Sequence, residues 1–164
     1  YCIIYWLKWV FVQFTKFHKL HIWKRDIMFL KDNQLDVNTY LDLRSKVGWK
    51  PLTNEQATMA IKNSLLTVVA YDKDAPIGMG RIVGDGAVIC YIQDLIVVPQ
   101  YQGQGIGQAI IDSLIDYVKE IKLPDAEIML DLMCAVGREE FYKKSGFIAR
   151  PTEKLGPGMI MYIR

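Results

Sequence analysis

Gly103, Gly105 and Gly107 stand on alternate positions within Val97-Val98-Pro99-Gln100-Tyr101-Gln102-Gly103-Gln104-Gly105-Ile106-Gly107-Gln108. An apolar run meets a proline stop, a polar turn and then an amphipathic stretch. A strand, loop and helix joined in this way leave backbone N–H groups unpaired at the positive end of a helix dipole, and glycines let a phosphate approach the chain closely. The bland alternative is a glycine-rich turn with no ligand. Two common phosphate motifs are excluded by the residues at the end of the loop. Gly107-Gln108-Ala109 lacks the Gly-Lys-Ser/Thr ending of a P-loop, and Gln108 occupies the place of the third glycine of a dinucleotide fingerprint.

Other chemistry-bearing residues are sparse. The two histidines, His18 and His21, both lie near the start of the chain, so the rest offers no imidazole. The three cysteines, Cys2, Cys90 and Cys134, are widely spaced and form no CxxC pair. They read as free thiols in a reducing compartment, with Cys90 and Cys134 expected as buried filler inside apolar runs. No metal site is expected. Tyr142, in Phe141-Tyr142-Lys143-Lys144-Ser145-Gly146-Phe147, is a phenol on a short helix that could donate a proton, or a core tyrosine.

These residues must be positioned by a mixed set of elements. A strand is expected over Ile27–Lys31. A helix capped by Asp36 comes next, running to about Val47, then a second with a capping box at Thr53-Asn54-Glu55-Gln56. Three strands come after it, over Leu65–Tyr71, Ile77–Val83 and Ala87–Val98. Ile106, Ile110, Leu114, Tyr117, Val118 and Ile121 form one apolar stripe, so Ile106–Ile121 is the clearest helix. A strand over Glu127–Met133, a short helix over Arg138–Ser145 and two closing strands, Phe147–Arg150 and Met159–Ile163, complete the order. The fold class is α/β (α+β), a single domain with a mixed, twisted sheet flanked by helices.

At 164 residues with 51% hydrophobic content, the chain can bury one domain core. A net charge of +2 is too mild to argue for nucleic acid. Residues 1–26 are set apart as an apolar and basic extension with a helical seam at Ile3, Leu7, Val10, Phe14, Phe17 and His21. Three readings stay open for it: a packing or dimerising helix, an interfacial membrane anchor, or a dispensable extension. Residues 27–164 form the domain, read as soluble and cytoplasmic with no membrane partner.

The stretch Leu95–Gly107, with Gln102-x-x-Gly105-x-Gly107 at its centre, resembles the acyl-CoA loop of the GNAT superfamily of N-acetyltransferases. Phe141 to Phe147 resembles that family's second signature. Together they cover roughly Met28 to the C-terminus. The resemblance implies a mostly antiparallel sheet splayed between its two central strands to admit acetyl-CoA. It implies that Leu95, Ile96 and Val97 flank the pantetheine arm, with Leu95 and Val97 pairing to it through their backbones, and that Gln102, Gly103, Gln104, Gly105, Ile106 and Gly107 hold the pyrophosphate. Gln102 stands where the family often has Arg. A backbone N–H near Val97 is implied as oxyanion donor and Tyr142 as the proton donor to the departing thiolate, close to the cofactor.

The base is the weak point. Asp94 is the nearest carboxylate, but strand alternation points it away from Tyr91, Gln93 and Leu95. Asp131 and Glu139 are weaker candidates, and a water relay serves equally. Trp49 could wall an acceptor pocket or plug the core. The expected activity is acetyl transfer from acetyl-CoA to a primary amine, most simply a small molecule, by direct attack in a ternary complex. A non-catalytic acyl-CoA-binding module is the alternative, and a homodimer is compatible with either.

Overall fold

A computed structural model describes residues 28–163. The expectations for residues 1–26, including the helical seam, Cys2, His18 and His21, lie outside the described residues. Strand β1 (Met28–Asp32) is followed by helices α1 (Val37–Lys46) and α2 (Asn54–Lys62), then by strands β2 (Leu66–Asp72), β3 (Ala75–Gly84) and β4 (Ile89–Val97). A 3₁₀ turn (Pro99–Tyr101) leads through the glycine loop into α3 (Ile106–Ile121), β5 (Met129–Asp131) and the short α4 (Glu139–Lys143).

Local signals explain the helices. The Asp36 carboxylate accepts from the Thr39 N–H at the start of α1, and Gly48 takes a left-handed φ of 70° just past its end. The Thr53 and Gln56 side chains each bond the other's backbone N–H, a complete capping box for α2. Helix α3 begins on Gly105 without a side-chain cap. With glycine in that place the omission costs only roughly a few tenths of a kcal/mol. Burial of Ile106, Ile110, Ile111, Leu114 and Val118 outweighs it, at roughly 1.5–3 kcal/mol for each side chain.

The sheet runs β1-β2-β3-β4-β5 and is antiparallel except for the last pair. Helix α3 covers one face, across β2, β3 and β4, while α1 packs on β3 and β4 from the other. Gly80 makes the α3 contact possible. A Cβ there would meet Ile110 Cγ2 at 2.7 Å and Leu114 Cδ1 at 2.9 Å. Among the described residues, no helix is long and apolar enough to cross a membrane.

Several expectations are corrected. Strand β3 starts at Ala75, so the hairpin turn narrows to Lys73-Asp74. Strand β5 is only three residues long. The closing strands expected over Phe147–Arg150 and Met159–Ile163 do not form. Ile148 and Met159 to Ile163 are exposed instead, the latter beyond a loop broken by Pro151, Gly156, Pro157 and Gly158. An apolar β-prone run becomes a strand only when an edge pairs with it. Cys90 is buried as expected, but Cys134 is exposed in the loop after β5.

Candidate active site

The glycine loop is built as an open cradle. Gly103 and Gly105 have φ of 72° and 84°, and a Cβ on Gly103 would meet nothing within 4 Å. Among the described residues, the backbone N–H groups from Gly103 to Gln108 have no backbone or side-chain acceptor. They converge at the N-terminal end of a 16-residue helix, which suits an anionic group. Gly107 has a different task. A Cβ there would press on the Phe141 ring at 3.3 Å, so its lack of a side chain lets α4 seat against the start of α3. Gln108 ties α3 to the turn just past α4 through the Ser145 hydroxyl at 2.9 Å.

Beside the loop, the sheet opens. Strands β4 and β5 pair only through Ile89–Met129, Cys90–Leu130 and Tyr91–Asp131. From Ile92 to Val97 the β5-side edge of β4 has no strand beside it among the described residues. The Val98 N–H bonds the Ile77 carbonyl of β3, so the preceding Val97 carbonyl faces the other way, into the gap. There it accepts from the Gln102 side-chain amide at 2.9 Å. Leu95 lies on the α3 side, beside Gly80, and Ile96 is buried opposite Met79. An unpaired edge, flanked by a cradle of free N–H groups, fits a ligand that combines an amide-bearing chain with phosphates. Acetyl-CoA has that composition.

The opening is shaped by a bulge. Arg81 faces Gln93 and Met79 faces Ile96, so β4 carries one residue too many between them, and Asp94 takes a left-handed φ of 58°. The bulge cancels the expected alternation. Gln93 and Asp94 share a side, with the Gln93 amide donating to Asp94 Oδ1 at 3.1 Å. Nor is Asp94 a free base. It is buried and receives Arg44 Nη1 at 2.8 Å, Arg81 Nε at 2.8 Å and the Tyr40 hydroxyl. Burial alone would raise its carboxyl pKa. The Tyr40 and Arg81 hydrogen bonds and the Arg81 charge outweigh burial and hold it below the usual carboxylate range. A carboxylate with its lone pairs so committed fastens α1 to β3 and β4. Arg81 extends the fastening to α2 through the Ala60 carbonyl and the Ser64 hydroxyl.

Arg44 and Arg81 were not among the residues singled out from the sequence. Their partner lies 50 and 13 positions away respectively, and no local pattern marks such pairs. Trp49 neither plugs the core nor is fully free. It is partly exposed, with the Arg44 guanidinium 5.1 Å from its ring centroid.

Tyr142 sits on α4 with its ring edge-to-face against Phe141 and Phe147, at centroid distances of 5.0 and 6.0 Å. Its hydroxyl makes no hydrogen bond among the described residues. Burial raises its pKa, as does the nearby Cys134, and Tyr91 adds to the shift. The phenol therefore keeps its proton at neutral pH. Tyr91 stands at the apex of the opening, where its hydroxyl oxygen accepts from the Met133 N–H at 3.0 Å, just past the last rung of the β4–β5 ladder. Glu139, in the first turn of α4, is exposed.

A bulged strand splaying from a short parallel partner, over a glycine-rich helix start, defines the class of fold that binds acyl-CoA in acetyltransferases. The sequence profile of the acetyltransferase (GNAT) domain matches residues 42–161, and the chain belongs to that family. Its relatives include a protein named histone acetyltransferase TAP1 from Glycine max, 30% identical over 136 residues, covering 76% of this chain and 57% of the relative. Another is an uncharacterized N-acetyltransferase ycf52 from Pyropia yezoensis, 27% identical, covering 85% of this chain and 79% of the relative. Among solved structures, a protein of unknown function from meticillin-resistant Staphylococcus aureus, described as a probable acetyltransferase, superposes with a TM-score of 0.74. It is 33% identical and the match covers 84% of this chain and 100% of that one. The chain spans little more than half the length of the first curated relatives it matches.

Proposed function

We propose that this chain moves an acetyl group from acetyl-CoA to a primary amine, by direct attack while donor and acceptor are bound together. The observation that carries this reading is the adjacency of the two open backbone features, the unpaired β4 edge and the cradle of free N–H groups from Gly103 to Gln108. In this reading the loop amides hold the pyrophosphate. The backbones of Leu95 and Val97 pair with the pantetheine arm as an added strand would, alongside Ile96. Gln102 gives up its bond to the Val97 carbonyl when the arm takes that place. Acetyl-CoA supplies the activated thioester. An N–H of the β4 edge near Val97 stabilises charge on its carbonyl oxygen, and Tyr142 delivers a proton to the sulfur as the C–S bond breaks.

Support for Tyr142 comes from its hydroxyl, unpartnered among the described residues, and its raised pKa, which together keep a proton available. The acceptor is read as a small amine, with a lysine side chain of a protein as the competing class. Release of free CoA thiol from acetyl-CoA would be measured against spermidine, an arylalkylamine, an aminoglycoside, free amino acids and a lysine peptide. Amine-dependent thiol release with a matching acetylated product supports transfer. Tight acetyl-CoA binding with no release on any amine would instead support a non-catalytic acyl-CoA-binding module.

A further inference from the structure

Asp131 occupies the last rung of the β4–β5 ladder, in register with Tyr91, at the point where the two strands part. Partners in register on parallel strands project to the same face. Tyr91 shares that face with Gln93 and Asp94, the side away from α3. Asp131 Oδ1 is closed off from solvent yet accepts no hydrogen bond among the described residues, while the residue as a whole is partly exposed. A sealed carboxylate oxygen with no donor is unusual, because leaving it bare forfeits its hydration without replacement. Asp94, by contrast, has its oxygens filled by Tyr40, Arg44, Arg81 and Gln93. The apex of the opening therefore holds one carboxylate that is spent and one that is uncommitted among the described residues.

We propose that Asp131 is the general base of this acetyltransferase, accepting a proton from the ammonium form of the acceptor through its exposed side, while the sealed Oδ1 keeps the carboxylate basic. The role rests on the acetyl-transfer reading of the site. The ammonium N–H donates to the exposed side of the carboxylate and its proton passes there, leaving a neutral amine. The nitrogen lone pair then forms the N–C bond to the thioester carbonyl carbon, the C–S bond breaks, and Tyr142 protonates the sulfur. The second proton shed by the acylated nitrogen restores the phenol. Asp131 returns its own proton to water through its exposed side. The sum is ammonium plus thioester giving amide, thiol and one proton.

The titratable and charged groups acting on Asp131 are Tyr91 from β4 and Arg150 from the segment after α4. Asp94 and Tyr142 in turn face Tyr91. Burial pushes the Asp131 carboxyl above its ordinary value, and Arg150 opposes this. A base raised in this way holds protons more firmly than a surface carboxylate, which suits the task.

The test compares wild type with Asp131→Asn and Asp131→Glu, using spermidine and a lysine peptide as acceptors. Asp131→Asn is expected to lower kcat/KM at neutral pH by about 100-fold. The deficit should shrink toward about pH 10, where an alkylamine loses its own proton. Acetyl-CoA affinity should be unchanged, and Asp131→Glu should recover part of the rate. A carbon-13 titration of the free protein should show the Asp131 carboxyl raised, a readout independent of turnover. An Asp131→Asn enzyme with the wild-type pH profile, or an Asp131 carboxyl titrating at an ordinary value, would overturn the role while acetyl transfer stands. A wild-type chain that binds acetyl-CoA and acetylates neither amine would overturn the transfer reading itself.

Discussion

At the scale of single residues, two aspartates on adjacent strands have opposite fates, and both fates are set by neighbours. Asp94 is fastened by two guanidinium groups whose side chains, like its own, are largely buried. Removing one member of such a cluster leaves buried charge uncompensated, so Asp94→Asn should destabilise the fold by about 3–5 kcal/mol, read from urea midpoints at constant slope. The pH dependence has a definite sign. The folded pKa of Asp94 lies below its unfolded value, so its contribution is fully present above the ordinary carboxylate range and is lost as pH falls through the folded value. Acid unfolding of the wild type should therefore steepen only below about pH 4. Asp131 has the reverse sign, with a folded pKa raised by burial. Its charge opposes folding at neutral pH, and Asp131→Asn should leave the melting temperature unchanged or higher. Tyr142→Phe removes a hydroxyl that no group among the described residues uses. It should lower kcat by about tenfold or more with acetyl-CoA affinity and stability nearly intact; unchanged turnover would remove Tyr142 from the mechanism.

Among elements, legibility tracked how local the determining signal was. Helix α3 was readable end to end because its apolar stripe and the flanking glycine and Pro124 lie within one stretch. The starts of α1 and α2 were readable from Asp36 and Thr53 for the same reason. Sites set by partners across the sheet were not. The bulge at Asp94 depends on how β4 registers against β3, and the Arg44–Asp94–Arg81 cluster joins three elements distant in sequence. The expected closing strands failed for want of a partner, since β5 ends at Asp131 and the runs beyond it pair with nothing among the described residues. The glycine loop was legible as an anion cradle, yet the packing task of Gly107 against Phe141 emerges only in three dimensions. Close helix-to-sheet contact makes a sharp forecast at Gly80. An added methyl there must displace Ile110 and Leu114, so Gly80→Ala should cost about 1–3 kcal/mol and, by lifting the start of α3, weaken acetyl-CoA binding measured by calorimetry.

For the molecule as a whole, the sheet is a finished wall on one side of β4 and an unfinished one on the other. Helix α3 and the Asp94 cluster hold the finished part from both faces, and the Gln102 side chain reaches back to the Val97 carbonyl at the opening. That side chain has a second consequence. An uncovered strand edge carrying free carbonyl and N–H groups is a template for a strand from another molecule, the first step of edge-to-edge aggregation. By seating its amide on the Val97 carbonyl, Gln102 occupies the one edge acceptor seen to be covered among the described residues. Gln102→Ala should accordingly scatter light sooner on warming than the wild type. Saturating acetyl-CoA should erase the difference by covering the same edge. The residue proposed to yield to acetyl-CoA would then also guard the uncovered edge against pairing with a second copy of the chain.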